Sequence, residues 1–340
     1  MRQASSTVAS LAGELLMRAQ RRVLPALRAH VDRLPLQQRH WVAFHFGWSD
    51  AAGKPVTGAR AGKGLRPALV YAAAEAAGGT HDRLDEVAAA VELVHNFCIL
   101  HDDVIDQDRE RRGRPTVWAE FGTTAGVLSG DAVLALALGC LDEVNLARRL
   151  CQAVQDLVRG EALDVEYESR PDLTTEDYVL MARLKTGSLM GAACALGAAA
   201  AGAGPEVITR MDRFGRSLGL AFQVADDLLG LFGDPVITGK PVGADLRRRK
   251  WTHPVLVALS SQDPAARPLK TLYRSTTQPN DEQVAECVRA MEQTGARNVS
   301  REAALAALAD AEGHLDGAGL DPLRTAPLRT IAATVVDRSC

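Results

Sequence analysis

Lysine is scarce in this 340-residue chain. It stands only at positions 54, 63, 185, 240, 250 and 270, so arginine supplies 33 of the 39 basic residues. A chain that avoids lysine yet sets several beside Gly, Thr or Asp needs them there. Cysteine-based metal and disulfide patterns are also missing. Cys98, Cys140, Cys151, Cys194, Cys287 and Cys340 form no CxxC pair, and no His stands at zinc-ligand spacing from one. They read as reduced thiols of a cytoplasmic protein, mostly core fillers. Net charge is −3 and the most basic run, "DLRRRK" at Asp245–Lys250, is local, which argues against general nucleic-acid binding. Met1–Arg22 lacks the apolar core of a signal peptide. The most apolar stretch, Met190–Gly204, is mostly Ala and Gly, too short and weakly hydrophobic for a transmembrane segment. It reads as a surface that lets helices pack closely. No P-loop and no Ser-His-Asp arrangement points to another chemistry.

What is present favours helix. Hydrophobic residues make up 47% and charged residues 24%, ordinary for a globular chain long enough to bury a large core. Ala and Leu abound, β-branched runs are few, and no Asn-Gly or Asp-Gly turn separates alternating strands. In Val87–Asp106, apolar residues at 87, 91, 94, 97, 98 and 105 recur at helical spacing. Further helices are predicted near 8–33, 65–77, 124–142, 145–169, 174–202, 205–231, 240–260, 281–294, 299–315 and 321–337. Thr174–Asp177 and Ser300–Ala303 read as helix starts. Ser49–Gly64 and Asp108–Pro115 read as loops, and prolines at 264, 268 and 279 break the pattern over 260–280. The expected fold is all-α, a single domain over 1–340. Residues 1–40 are expected as a packed helix or a partly disordered arm.

Two acidic clusters carry the chemistry. Asp102 and Asp106, in "DDVID", are four apart and share a helix face, with Asp103 a quarter-turn away. Carboxylates this close repel one another, and a divalent cation relieves the repulsion. Hard oxygen ligands favour Mg²⁺ or Mn²⁺. Alone, the cluster reads as an acidic helix end in solvent. An apolar run leads into it and "RERRGRP" follows, which favours the mouth of a phosphate-binding cavity. The second cluster, "FQVADDLLGLFGDP" at Phe222–Pro235, is incomplete. Gln223 and Asp226 share a face, Asp227 follows, and the position one turn after Asp226 is Gly230. A carboxylate is missing from the face that holds Asp226. Asp245, Lys240 and Lys250 follow downstream. In "GKGLRP", Lys63 and Arg66 flank a Gly-rich entry to a helix whose first turn suits Pro67. Trp41, Phe44, Phe46 and Trp48 read as core or dimer packing. Glu92 and Glu168 read as arginine partners, and His101 as a hydrogen-bonding neighbour of the Asp pair.

Taken in order, "GKGLRP", "LVHNFCILHDDVIDQDRERRGRPT", "GDAVLALAL", "GEALDVEYE", "KTGSLM" and "FQVADDLLGLFGDPVITGKPVGADLRRRKWTHP" resemble the trans-isoprenyl diphosphate synthase (polyprenyl synthetase) family over Gly62–Pro254. The resemblance implies an isoprenoid synthase-type bundle of mostly antiparallel helices around an apolar cavity, and a homodimer. It implies a reaction in which isopentenyl diphosphate attacks an ionising allylic diphosphate and lengthens it by five carbons. Three Mg²⁺ ions are implied, with Mn²⁺ as a substitute. Asp102, Asp106 and Asp226 would bind metal, with Asp103 and Asp227 in support and Asp245 on a metal-bound water. Arg111, Lys185 and Lys240, with Lys250 nearby, would hold the allylic diphosphate. Lys63, Arg66, His95 and Arg112 would hold isopentenyl diphosphate. Gln223 and the Thr186 carbonyl would face the developing cation.

The residues before the first Asp pair would set product length. Phe97, fifth before Asp102, is expected as a floor, and Cys98 leaves space beside it. That pattern resembles bacterial geranylgeranyl diphosphate synthases and favours a C20 product, with farnesyl or longer diphosphates as the alternative. Three rivals are a class I terpene cyclase, which would not need Lys63, Arg66 and His95, a non-catalytic subunit, which would have lost first-cluster Asp residues, and a metal-independent isoprenoid-binding protein. Gly230 is expected to weaken metal affinity or wet the site without abolishing catalysis.

Overall fold

Helix follows helix, each fixed by an apolar stripe. The computed structural model describes residues 2–57, 62–79, 83–233 and 243–337. Helix α1 (Arg2–Val31) comes first, with Leu16, Ala19, Val23, Leu27 and Val31 buried in the core. Then come α2 (Leu36–His45), α3 (Leu65–Ala76) and α4 (Leu84–Ile105), the last with Asp85 and Glu86 in its first turn, where the helix dipole favours acid. A small hairpin, β1 (Glu110–Arg111) and β2 (Arg114–Pro115), leads to α5 (Val117–Phe121), α6 (Thr123–Gly139) and α7 (Val144–Tyr167). In α7 the buried residues Leu146, Leu150, Ala153, Leu157 and Gly160 recur every three or four positions. α8 (Thr175–Ala182) opens with the predicted capping box of Thr174 and Asp177. It passes through a π-helical turn, Arg183–Gly187, into α9 (Ser188–Ala200) and then α10 (Pro205–Phe232). The remainder is α11 (Ala244–Arg247), α12 (His253–Ser260), α13 (Arg267–Arg274), α14 (Asp281–Gln293), α15 (Ala296–Asp316) and α16 (Pro322–Asp337).

The core is a stack of helix pairs: α10 lies between α9 and α15, α3 packs on α9, and α4 packs on α6. The Ala/Gly-rich α9 is buried along nearly its whole length, as the small-residue run predicts. Together α8, the π-turn and α9 make one helical run, Thr175–Ala200, long and apolar enough by composition to cross a membrane. Within the bundle, 72% of its most apolar window is buried, as in a core helix. A satellite cluster joins Leu231 of α10 to Leu246, Val255, Leu269, Cys287 and Met291 beside the main core.

Five expectations are corrected. The helix near 240–260 is, from Gly243 onward, two pieces, because Arg249 takes a left-handed φ of 51°. The "loop" Asp108–Pro115 contains the hairpin, and Ser260–Asn280 contains α13. α2 arises from a stretch read only as aromatic packing. Ser300 is no cap: α15 begins at Ala296, and Ser300 is buried against His253 Nδ1 at 2.8 Å.

Candidate active site

The α4 terminus builds the first wall. Helical spacing puts Asp102 and Asp106 on one face. The Asp106 amide closes the last turn on the Asp102 carbonyl at 2.8 Å. Burial and the Glu161 charge push the Asp102 carboxyl up to about 7, against the pull of Lys185. Asp106 behaves oppositely. Burial disfavours its charge, but Lys250, Lys185 and Arg248 outweigh that and hold its pKa down. Lys250 Nζ donates to Asp106 Oδ2 at 3.0 Å. Asp103 is buried and accepts from Arg111 Nε at 2.5 Å.

The hairpin explains how two arginines reach this wall. Its register pairs Arg111 with Arg114, leaving Arg112 and Gly113 as a two-residue turn. Their φ values are 57° and 74°, both left-handed, as a type I′ turn requires. A non-glycine held there is strained, and such strain gathers at functional sites. The turn sets the Arg112 guanidinium beside Gly62. Arg66 and His95 lie behind it. Burial lowers the Arg66 pKa, and the nearby Glu92 charge opposes the shift. Arg66 Nε is buried with no hydrogen-bond partner. Burial, with Arg66 and Arg112 alongside, holds His95 neutral. Glu92 is itself pushed up by burial, and Arg66, Arg112 and Asn96 resist the shift.

The second wall comes from α7 and the π-turn. Lys185 Nζ donates to Asp164 Oδ2 at 2.6 Å and pairs with Glu161 Oε2 at 2.8 Å. Burial opposes its charge, yet Asp164, Glu161 and Asp102 together raise its pKa. A Cβ on Gly160 would overlap the Lys185 backbone nitrogen, so glycine there lets α7 approach the π-turn. The extra residue of a π-turn re-aims side chains and is common at functional sites. Thr186 Oγ1 donates to Gln223 Oε1 at 2.7 Å.

The third wall is α10. Asp226 is exposed, whereas Asp227 is buried. The Asp227 carboxylate accepts from Tyr178 Oη at 2.6 Å, from Gln223 Nε2 at 3.1 Å and from the His253 amide at 3.2 Å. Burial pushes the Asp227 carboxyl up to about 8 against these donors. Its oxygens are engaged inside the bundle, where they fix α10 against α8 and α12. Asp103 is likewise engaged, by Arg111. One turn beyond Asp226, Asp245 Oδ2 lies 2.6 Å from where a Cβ on Gly230 would sit. The carboxylate missing from the second cluster is thus replaced in space by one from another segment. Lys240 lies outside the described residues.

Helical spacing points to Asp102, Asp106 and Asp226 and the run downstream to Asp245 and Lys250, whereas Lys185 is implied by the family resemblance; spacing alone is the weaker guide. It missed Glu161, Asp164, Arg248, Asp108 and the Tyr178–Asp227–His253 group. "GEALD" carried the signal for Glu161 and Asp164, two acids three residues apart on a helix; the other contacts cross large sequence distances. Phe97 packs edge-on against His101 with ring centroids 4.8 Å apart, while Cys98 lies one turn from Asp102 and is only half-buried. Burial, Asp102 and Glu161 push the Cys98 thiol up. Asp102, Asp106, Glu161 and Asp164 therefore crowd oxygen donors around Lys185, a donor set that fits a hard divalent cation.

The chain is similar to proteins of known family. Residues 55–291 match the family described as Polyprenyl synthetase. The chain is 43% identical over 320 residues to the geranylgeranyl diphosphate synthase of Mycobacterium tuberculosis, covering 90% of this chain and 91% of that one. It is 40% identical over 325 residues to the (2E,6E)-farnesyl diphosphate synthase of Mycobacterium bovis, covering 93% and 90%. The polyprenyl synthetase from Streptomyces coelicolor superposes with a TM-score of 0.90 at 37% identity, covering 95% of this chain and 98% of that one. The polyprenyl synthase from Caulobacter crescentus, complexed with calcium and isoprenyl diphosphate, superposes at 0.82 and 27% identity over 96% and 98%. With its all-α bundle, its paired acidic clusters and these relatives, the chain belongs to the polyprenyl synthetase family and is a trans-prenyl diphosphate synthase acting on isoprenoid diphosphates.

Proposed function

We propose that the enzyme condenses isopentenyl diphosphate with an allylic diphosphate and releases all-trans geranylgeranyl diphosphate. The observation that carries this reading is the presence of two separate cationic regions. Lys185 and Lys250 stand among Asp102, Asp106, Glu161 and Asp164. Arg66, Arg112 and neutral His95 form a second pocket with Glu92. A cyclase uses one diphosphate, and a condensing enzyme needs two.

In this reading Asp102, Asp106, Asp226 and Asp245 hold Mg²⁺, three ions in all, with Mn²⁺ as a substitute. Bound there, the metal would neutralise charge on the departing diphosphate. Lys185, Lys250, Arg111 and Lys240 orient that diphosphate, and preorganised cations at the leaving group lower the barrier. Lys185 and Lys250 reach it by exchanging their carboxylate partners for phosphate oxygens. Lys63, Arg66, His95 and Arg112 hold the second substrate. Gln223, oriented by Thr186, and the Thr186 carbonyl face the developing cation. The departing diphosphate takes the proton, so no side-chain base is required. Asp103 and Asp227 act as positioning residues.

Phe97, with Cys98 beside it, sets a C20 length in this proposal; the farnesyl-producing relative keeps a C15 product as the second reading. The chain works as one domain and as a cytoplasmic homodimer. Exposed Val127 and Leu128 on α6 and Val158 and Val165 on α7 supply an apolar face for the pairing. The test is incubation with isopentenyl diphosphate, each of the C5, C10 and C15 allylic starters and Mg²⁺, followed by chain-length analysis. A C20 diphosphate from every starter supports the reading. A C15 end point moves it to the second, and a diphosphate-free hydrocarbon refutes both.

A further inference from the structure

Three non-glycine residues among those described have a left-handed φ: Gln107 at 55°, Arg112 at 57° and Arg249 at 51°. Arg112 belongs to the hairpin turn. The other two flank a contact that joins parts of the chain 140 residues apart. Gln107 stands between Asp106 and Asp108, and Arg249 between Arg248 and Lys250. Strain of this kind persists only where surrounding contacts over-determine it, and it marks places where a side chain must be aimed.

Asp108 is held on every side. Its amide donates to the Asp103 carbonyl at 2.9 Å. Its own carbonyl accepts from Thr116 Oγ1 and Trp118 Nε1, each at 2.8 Å. Its carboxylate is shared between two guanidiniums: Oδ2 faces Arg111 Nη2 at 3.4 Å, and Oδ1 accepts from Arg248 Nη2. Arg248 Nη1 also lies 3.7 Å from Asp106 Oδ2. The opposite side is equally fixed. The Lys250 amide donates to the Asp245 carbonyl at 2.9 Å, and Tyr273 Oη donates to the Lys250 carbonyl at 2.7 Å. Arg249 Nε donates to the Leu272 carbonyl at 3.3 Å.

Two bonds therefore tie Gly243–Lys250 to the α4 wall, Lys250 to Asp106 and Arg248 to Asp108. They differ in fate. Asp106 belongs to the metal-binding set of the proposed function, so its bond to Lys250 is lost when metal arrives. Asp108 does not belong to that set. We propose that Asp108 and Arg248 form a metal-independent clasp, a positioning pair that keeps Asp245 and Lys250 registered against Asp102 and Asp106 while Lys250 changes partner. This rests on the proposed function for its kinetic consequence and on geometry alone for its structural one.

The test uses the full chain and the variants Arg248→Gln, Arg248→Lys and Asp108→Asn. Amide hydrogen exchange of residues 243–250 in the metal-free protein reads the clasp without any activity. Arg248→Gln is expected to speed exchange there about tenfold, the scale of one lost charge-assisted hydrogen bond, and Arg248→Lys about half as much on a logarithmic scale. Adding Asp108→Asn to Arg248→Gln should add nothing at 243–250. Steady-state kinetics reads the consequence: KM for the allylic diphosphate rises about tenfold, with KM for isopentenyl diphosphate within twofold of wild type. Unchanged exchange in Arg248→Gln overturns the clasp, and so does an equal rise of both KM values. If wild type condenses neither substrate, the proposed function fails, and the exchange result still decides on the clasp.

Discussion

Gly230 offers a test whose size separates two structures. In an ordinary helix interior, Gly→Ala stabilises by about 1 kcal/mol through backbone entropy. At Gly230 a new Cβ would lie 2.6 Å from Asp245 Oδ2, where ordinary contact begins near 3.4 Å. The carboxylate must retreat by about 0.8 Å, and because it is the end of a flexible, half-buried side chain that retreat costs only about 1 kcal/mol, the low end for overpacking. Gly230→Ala should therefore lose the usual gain and change stability by less than about 0.5 kcal/mol. Gly230→Asp adds a second carboxylate beside Asp245, and like charges about 4 Å apart repel by roughly 4 kcal/mol at an effective dielectric of 20. Its metal-free midpoint should fall, and Mg²⁺ should restore much of the loss by sitting between the two acids. Denaturant unfolding of both variants, with Mg²⁺ and with chelator, measures this. A Gly230→Ala protein stabilised by the full ~1 kcal/mol of an unhindered helix site would mean that Asp245 does not occupy the space above Gly230. Activity supplies the companion result: Asp226→Ala loses roughly 10²–10³-fold in kcat, the scale of one lost transition-state contact, and is far more damaging than Gly230→Asp.

Three further outcomes follow from the site. Phe97→Ala should lengthen the product and Cys98→Phe should shorten it, read by chromatography of dephosphorylated products; an unchanged length in Phe97→Ala removes that ring as the floor. Thr186→Val takes the hydroxyl from Gln223 and should lower kcat about tenfold, the scale of one misplaced hydrogen bond, with both KM values nearly unchanged. A fall in binding with kcat intact would place Thr186 at the wrong step. Burial holds neutral His253 down to about 4, and burial with nearby arginines does the same for His45. A depressed folded pKa means that their contribution to stability is full above about 6.5 and is lost as pH falls towards 4. His253→Gln should flatten part of the decline in midpoint between pH 6.5 and 4, and an unaltered slope would show that His253 does not titrate on unfolding.

Local spacing made much of this molecule legible. An i, i+4 pair such as Asp102 and Asp106 can share only one helix face, and the Thr174–Asp177 box declares a helix start without tertiary help. The Ala/Gly run announced a close helix crossing before its partner was known. What stayed hidden depends on contacts across the chain. Asp227 looks like Asp226 in sequence, and only the fold separates them, burying Asp227 beside Tyr178 and His253 and leaving Asp226 exposed. Gly230 looked like a loss because the carboxylate that replaces it stands fifteen positions later. Arg249 gave no sign of the left-handed turn that divides 243–260, since arginine is a good helix former and tertiary bonds to Leu272 and Thr277 override that preference.

The account stands on the claim that two diphosphates meet here and that one of them leaves. Inorganic diphosphate release, measured with each substrate alone and with both together, tests it most directly. Release should need isopentenyl diphosphate, an allylic diphosphate and Mg²⁺ at once, one diphosphate for each five-carbon unit added, and should stop with chelator or in Asp102→Ala. Release from the allylic diphosphate alone, or none from the complete mixture, would contradict it.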